Sequence, residues 1–193
     1  LDEIKLLPRH TLPVTLECAG NNRADLNPMA PGNQFNNGAV SNAVWSGTPL
    51  NSILKKMNLD DDVLEILFEG ADVGSPSGDK DPEPYMRSLP LELANHQDTL
   101  LAYEMNGEVL PIEHGYPIRL IVPGWYGMAH VKWLSKLTAL TKPFSGYFQG
   151  EKYVLKYTDG TEKPVQEMQV KSAITSPIAG PSLNPCPLKP AHM

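Results

Sequence analysis

Cysteine is nearly missing from this sequence. Two residues, Cys18 and Cys186, in a chain of 193 exclude a disulfide framework and a Cys-rich zinc site. No run of 18 apolar residues occurs, so no transmembrane helix is expected. Positive charge is in deficit: 16 Lys and Arg against 22 Asp and Glu give a net charge of −6. A nucleic-acid partner, which favours a basic surface, is therefore not expected. The common catalytic and nucleotide-binding signatures are missing too. There is no H-E-x-x-H, no G-x-S-x-G, no G-x-x-x-x-G-K-[ST] and no G-x-G-x-x-G, and the five histidines have no zinc-ligand spacing. Methionine is missing from position 1, where Leu1 stands, and no secretory leader is recognisable. The sequence reads as a processed chain or a fragment.

What is present suits one folded domain. Apolar residues make up 41%, enough at this length for a buried core. Nineteen prolines favour loops and strand edges over long helices. Alternation predicts a strand over 12–18 that runs into the turn cluster Ala19-Gly20-Asn21-Asn22, followed by a loop over 27–37. Apolar spacing at Leu50, Ile53, Leu54 and Met57 predicts a helix over 46–57, with Thr48 as its cap and Pro49 in its first turn. Val63 to Phe68 reads as a strand with Leu64, Ile66 and Phe68 on one side, 72–84 as a polar loop, and 89–94 as a short helix. Asn106-Gly107 predicts a type I′ hairpin within 100–110. Ile118 to Val122 reads as a buried strand, Val131 to Leu140 as a further apolar run, and Tyr153 to Tyr157 as the start of a last hairpin. The stretch 177–193 is proline-rich and linker-like. Short strands outnumber helices without alternating with them, which predicts an α+β domain with a mixed sheet.

Three features can carry chemistry. Cys18 leaves a strand and enters a turn, where a thiolate can serve as nucleophile or soft-metal ligand, or a thiol can simply pack as a small apolar group. The 37 residues from His114 to Gly150 contain no Asp or Glu but carry Arg119, Lys132, Lys136 and Lys142. A +4 stretch in an acidic chain favours an anion site, with a solvated lysine-bearing strand face as the plainer alternative. Gly115, Gly124 and Gly127 within it permit close approach to a ligand. Arg119, five residues after His114, can fork onto a phosphate or carboxylate, or pair with an acid at the rim. Tyr147, Tyr153 and Tyr157 can hydrogen-bond an oxyanion or pack in strands.

Taken together, five segments resemble the molybdenum-cofactor domain of the sulfite oxidase family. They are Thr15-Leu-Glu-Cys18-Ala-Gly-Asn21, Gly38-Ala with Trp45-Ser-Gly47, Phe68-Glu-Gly-Ala-Asp72, Leu101-Ala-Tyr-Glu-Met-Asn-Gly107, and the run from His114 to Leu134 that contains V-P-G-W-Y-G-M-A-H-V-K-W-L. They keep a consistent order over residues 10–176, and the last is most similar to bacterial members. The resemblance implies an α+β, mixed-sheet, sulfite oxidase-type molybdopterin-binding domain over 1–176. It implies that Cys18 ligates molybdenum, that Arg23 belongs to the anion pocket, and that Tyr153 is the active-site tyrosine. It implies pterin and phosphate contacts from Asp72, His114, Arg119 and Lys132, with backbone N–H groups supplied by the segment from Gly127 through His130 to Lys132.

The implied activity is oxidation of sulfite to sulfate by oxygen-atom transfer, with electrons passed to a haem protein or cytochrome. A relative acting on nitrate or a sulfoxide, and a cofactor-binding domain without turnover, are the alternatives. The family's upstream Arg-, Asn- and His-bearing segment has no counterpart here, and Phe35 stands where the family usually has a pocket tryptophan. The stretch from Val170 to Pro177 resembles an exit towards a dimerisation domain. The expectation is thus a domain truncated at both ends, with 177–193 as a tail or the start of a lost dimerisation domain, and a homodimer only in a longer parent. Bacterial members weakly favour the periplasm.

Overall fold

The computed structural model describes residues 1–172. The stretch 177–193, with Cys186, lies outside the described residues. In chain order the elements are α1 (Asp2–Lys5), β1 (His10–Glu17), β2 (Val40–Pro49), α2 (Leu50–Leu54), β3 (Glu65–Gly74), β4 (Glu83–Pro90), α3 (Leu91–Ala94), β5 (Leu100–Met105), β6 (Glu108–Val109), β7 (Arg119–Ile121), β8 (Leu134–Leu140), β9 (Val154–Lys156) and β10 (Glu162–Pro164). Single turns of tighter helix occur at Arg23–Asp25, Ile112–His114 and Gly127–Ala129, and a π-helical turn at Phe148–Lys152. No helix among the described residues is long and apolar enough to cross a membrane.

Two main sheets form, with every strand pair antiparallel. One runs β1-β2-β5-β6 with β7 also on β5, and the other runs β4-β3-β8. A small β9-β10 hairpin follows. The first sheet is covered on both faces at β5 and β7. Leu100, Ala102 and Ile121 pack with Val14, Trp45 and Leu110 on one side. Leu101, Leu120 and Val122 pack with Leu50, Phe68 and Leu89 on the other. That double burial is why β5 and β7 read as continuous apolar runs where β1 alternates.

The Asn106-Gly107 turn forms as its composition predicts. Both residues have positive φ, 54° and 84°, as a type I′ turn requires. The Asn106 side chain also accepts a hydrogen bond from the Val44 N–H at 2.9 Å.

The predicted helix over 46–57 is shorter than its spacing suggests. Ser46 to Pro49 continue β2 and pair with β5 through a bulge at Ser46/Gly47, and the helix is confined to Leu50–Leu54. Thr48 donates to the Ile4 carbonyl at 2.9 Å instead of capping, and Met57 is exposed. Sheet pairing outweighs the weak preference of a short amphipathic stretch. Gly47 shows why the strand wins. A Cβ there would lie 2.2 Å from the Leu101 carbonyl oxygen and 2.6 Å from the Ala102 Cα, so glycine lets β2 close onto β5. Gly47→Ala is expected to cost about 1–3 kcal/mol in urea unfolding. An unchanged midpoint would refute this role.

Leu64 likewise departs from expectation. Ile66 and Phe68 are buried, but Leu64 is half exposed and Val63 takes the inward place, because strand pairing starts at Glu65. In the run from Val131, pairing begins only at Leu134, after Trp133 turns the chain with φ 49°.

Candidate functional site

β1 ends by presenting Cys18. The Cys18 N–H donates to the Ala39 carbonyl at 2.9 Å, and the turn closes with the Asn21 N–H on the Cys18 carbonyl at 2.9 Å. Asn21 staples the turn from both sides. Its Nδ2 donates to Glu17 Oε1 at 3.0 Å, and its Oδ1 accepts from the Ala39 N–H at 3.0 Å. The Gly20 N–H points at the Cys18 Sγ at 3.4 Å. Lys171 Nζ holds Glu17 at 2.7 Å. Burial pushes the Glu17 carboxyl up, but the hydrogen bonds from Lys171 and Asn21 outweigh it and its pKa is lowered. The outcome is an exposed, free thiol on a fixed turn.

Cys18 lies where two cavities meet. The first, about 450 Å³, is lined by Cys18, Asp72, Tyr85, Arg119, Gly127, Met128, His130, Lys132, Trp133 and Tyr153 among others. The second, about 410 Å³, is lined by Cys18, Gly20, Arg23, Phe35, Lys152 and Tyr153 with the loop residues 31–33. Cys18 and Tyr153 belong to both. The fold therefore gathers Cys18 with Asp72, Arg119, Gly127, His130 and Lys132 on one side and with Arg23 on the other. His114 is the exception. Its side chain is exposed and outside the first cavity, and its contribution is a carbonyl that accepts from Arg119.

Arg119 is the electrostatic centre of the first cavity. It is 5% exposed. Its Nη1 donates to the His114 carbonyl at 2.8 Å and its Nη2 to the His130 carbonyl at 3.2 Å. Its Nε is buried without a partner, and no carboxylate faces it within salt-bridge distance among the described residues. The guanidinium lies 4.9 Å from the Trp45 ring centroid, and burial pulls its pKa down to about 10. A buried cation without a counter-ion is costly; an anion entering the cavity offsets that cost. Lys132 sits beside it, donating to the Glu113 carbonyl at 2.9 Å. Burial and then the Arg119 charge lower its pKa, while Asp72 raises it.

His130, expected within the segment that supplies backbone N–H groups, lines the first cavity while its ring packs inward. The ring is 2% exposed. Its Nδ1 accepts from the Val122 N–H at 3.1 Å, and its Nε2 lies 3.1 Å from the Trp125 carbonyl, to which it donates as the neutral tautomer. The ring thus ties β7 to the following turn. Burial, reinforced by the Arg119 charge against the opposing Trp125 carbonyl, pulls its pKa to about 3. The backbone of 127–132 is also partly consumed. The N–H groups of Ala129, His130 and Val131 bond within the turn, to the Tyr126, Gly127 and Ala129 carbonyls. Amides at the start of such a turn have no partner inside it, which leaves the N–H groups of Gly127 and Met128, together with that of Lys132, without a hydrogen bond among the described residues; all three residues line the cavity.

The segment carrying Tyr153 is anchored by residues the sequence did not single out. Arg87, 1% exposed, donates to the Phe148 carbonyl at 2.7 Å and the Val165 carbonyl at 3.1 Å. Gln149, also buried, receives the Ser88 N–H at 3.0 Å and donates to Ser88 Oγ at 2.6 Å. Phe148 packs tilted against Tyr85 at 4.8 Å and stacks with Tyr153 at 6.5 Å between ring centroids. Tyr85 donates to the Met128 carbonyl at 2.8 Å, and burial raises its pKa. An arginine in the strand-like stretch Tyr85-Met-Arg-Ser-Leu looks like a surface residue in sequence. Only the tertiary fold places carbonyls around it.

The donor set fits one kind of metal cofactor. No cluster of three His, Cys, Asp or Glu side chains is placed to hold a metal among the described residues. A metal at Cys18 would thus need to take most of its ligands from outside the protein's side chains. An anionic group large enough to fill the first cavity, with its charge against Arg119 and Lys132, meets that need.

Comparison with known proteins agrees with this. A family model described as an oxidoreductase molybdopterin binding domain matches residues 1–148. Mitochondrial sulfite oxidases of Drosophila melanogaster and Homo sapiens are 37% and 36% identical to the chain, each over 93% of it and 33% or 35% of their own length. A nitrate reductase [NADH] of Nicotiana tabacum is 36% identical over 88% of the chain and 21% of its own length. The chain thus spans about a third or less of these relatives. The sulfane dehydrogenase SoxCD of Paracoccus pantotrophus superposes with a TM-score of 0.75 at 32% identity, over 91% of this chain and 43% of that one.

Proposed function

The chain belongs to the family of oxidoreductase molybdopterin-binding domains, and from that membership we propose that it oxidises sulfite to sulfate by oxygen-atom transfer. One observation carries the proposal: the Cys18 thiol stands between a cavity walled by Arg119 and Lys132 and a second cavity walled by Arg23. The first suits the anionic part of molybdopterin, the second a small oxo-anion. When bound, molybdenum in molybdopterin supplies the two-electron redox couple and the transferable oxygen.

The protein's own groups do the rest. Cys18 is a soft ligand for the metal. Arg119 and Lys132 neutralise the phosphate, the Gly127–Ala129 turn offers backbone amides to it, and Asp72 can accept from pterin N–H groups. Arg23 donates to the substrate anion, and the Tyr153 phenol adds a hydrogen bond at the boundary of the two cavities. Arg87 and Gln149 hold the Tyr153 segment in place. A haem protein is the proposed electron acceptor, with a cytochrome as the simplest partner.

Metal and pterin analysis of the chain, produced with the cofactor pathway intact, tests the cofactor. Turnover with sulfite, nitrate and sulfoxides tests the substrate. Molybdenum near one per chain with sulfite the best substrate is expected; nitrate as the preferred substrate would overturn the sulfite assignment, and the similarity to a nitrate reductase makes that the arm to run beside it. Arg119→Met is expected to weaken molybdopterin binding by about ten- to a hundredfold, because one charged contact to an anion contributes ~1.5–3 kcal/mol. Unchanged pterin affinity in that variant would remove Arg119 from the cofactor site.

A further inference from the structure

We propose that Lys152 is a second cationic ligand of the cavity beside Cys18, acting with Arg23 to bind the oxo-anion; this rests on the oxo-anion role given to that cavity above. Both side chains line it, and no Asp or Glu does. Arg23 is already partly engaged, with Nη1 donating to the Asn33 carbonyl at 3.3 Å. A sulfite or sulfate ion presents three or four acceptor oxygens pointing in different directions, and a planar guanidinium reaches them from one side only. An ammonium adds three donors and a point charge.

Lys152 is available for this. Its neighbour Glu151 is held by Lys80, with Nζ 2.8 and 2.9 Å from the two carboxylate oxygens. The Lys152 ammonium itself has no hydrogen bond or ion pair among the described residues. It closes the π-helical turn Phe148–Lys152, a kind of irregularity that recurs at functional sites. The turn is fixed beneath by Arg87 on the Phe148 carbonyl and by Gln149 on Ser88, so the lysine stem leaves from a rigid base. Arg23 and Lys152 also line a wider cavity of about 610 Å³ that adds Lys163 and a single acid, Glu167. Cations thus continue from the Cys18 cavity outward along a path suited to anions.

The test is calorimetric titration of the cofactor-free chain with sodium sulfate at low ionic strength, comparing wild type with Lys152→Ala, Lys152→Arg, Lys132→Ala and Lys156→Ala. Lys156 is a control that pairs with Glu162 and lines none of these cavities. Lys152→Ala is expected to weaken sulfate binding about tenfold, the loss of one charge-assisted contact. Lys152→Arg should restore most of it, and Lys156→Ala should leave it unchanged. In the cofactor-loaded chain, Lys152→Ala should raise KM for sulfite by a similar factor with kcat little altered. Equal sulfate affinity in wild type and Lys152→Ala overturns the proposal. So does binding weakened by Lys132→Ala alone, which puts the ion in the neighbouring cavity. Lys152-dependent sulfate binding in a loaded chain that oxidises no sulfite keeps the anion site and overturns the sulfite assignment alone.

Discussion

Replacing Cys18 by serine is expected to reduce sulfite oxidation below about a thousandth of the wild-type rate, ~4 kcal/mol in barrier terms, while leaving the fold intact. A serine hydroxyl stays protonated near neutral pH and is a hard donor, so it is a poor substitute for a thiolate as ligand to a soft metal. The fold has little to lose. Cys18 is exposed, its backbone bonds to Ala39 and Asn21 do not involve the side chain, and only the 3.4 Å contact from the Gly20 N–H changes partner. Such surface replacements usually stay within about 0.5 kcal/mol. Parallel measurement of turnover, molybdenum content and urea midpoint separates the two effects. Undiminished turnover in Cys18→Ser would remove the thiol from the reaction.

Acid should destabilise the cofactor-free chain through His130. Its folded pKa of about 3 lies well below the ordinary histidine value near 6.5. Below about pH 6.5 the unfolded chain takes up a proton that the folded chain refuses. The stability contributed by the neutral, hydrogen-bonded ring is therefore complete above that pH, declines as pH falls, and is gone once pH reaches the folded value. The slope from this one group approaches ~1.4 kcal/mol per pH unit, several kcal/mol across the window. The cause is burial, with the Arg119 cation adding repulsion and the Trp125 carbonyl opposing both. Urea unfolding from pH 7 to pH 4 should show it. His130→Gln, which cannot titrate, should start from a lower plateau and lose this part of the slope. The same pH slope in wild type and variant would show that another group is responsible.

Much of the site is legible in the sequence because it is local. Cys18 with its Gly-Asn turn, and the acid-free segment that carries Arg119 and Lys132, are contiguous stretches whose chemistry shows in order of residues. The helix over 46–57 misleads because amphipathic spacing carries no information about a partner strand. Gly47 and Pro49 mark the close approach to β5, but that partner lies some fifty residues away. For His114 and His130 the sequence shows a histidine near glycines and a cation, while the fold alone sets that one gives its carbonyl to Arg119 and the other braces the Val122 N–H with its ring. Arg87 leaves no trace in the sequence, since its carbonyl partners at Phe148 and Val165 lie 61 and 78 residues along the chain.

The order of the strands has a kinetic consequence. β3 and β4 interrupt the first sheet between β2 and β5, while β8, the last strand of the second sheet, follows β7 of the first. Each sheet thus waits for chain that belongs to the other, and loop-closure entropy is met before most pairing is gained. Folding should be slow, on the ms–s scale typical of strand-rich topologies with distant contacts, and the two sheets should not emerge as separate intermediates. The first cavity draws its walls from Leu16 through Tyr153, so it is complete only after the π-helical turn docks on Ser88. Cofactor uptake then becomes a late event in the life of the chain, one that reports that both sheets have closed.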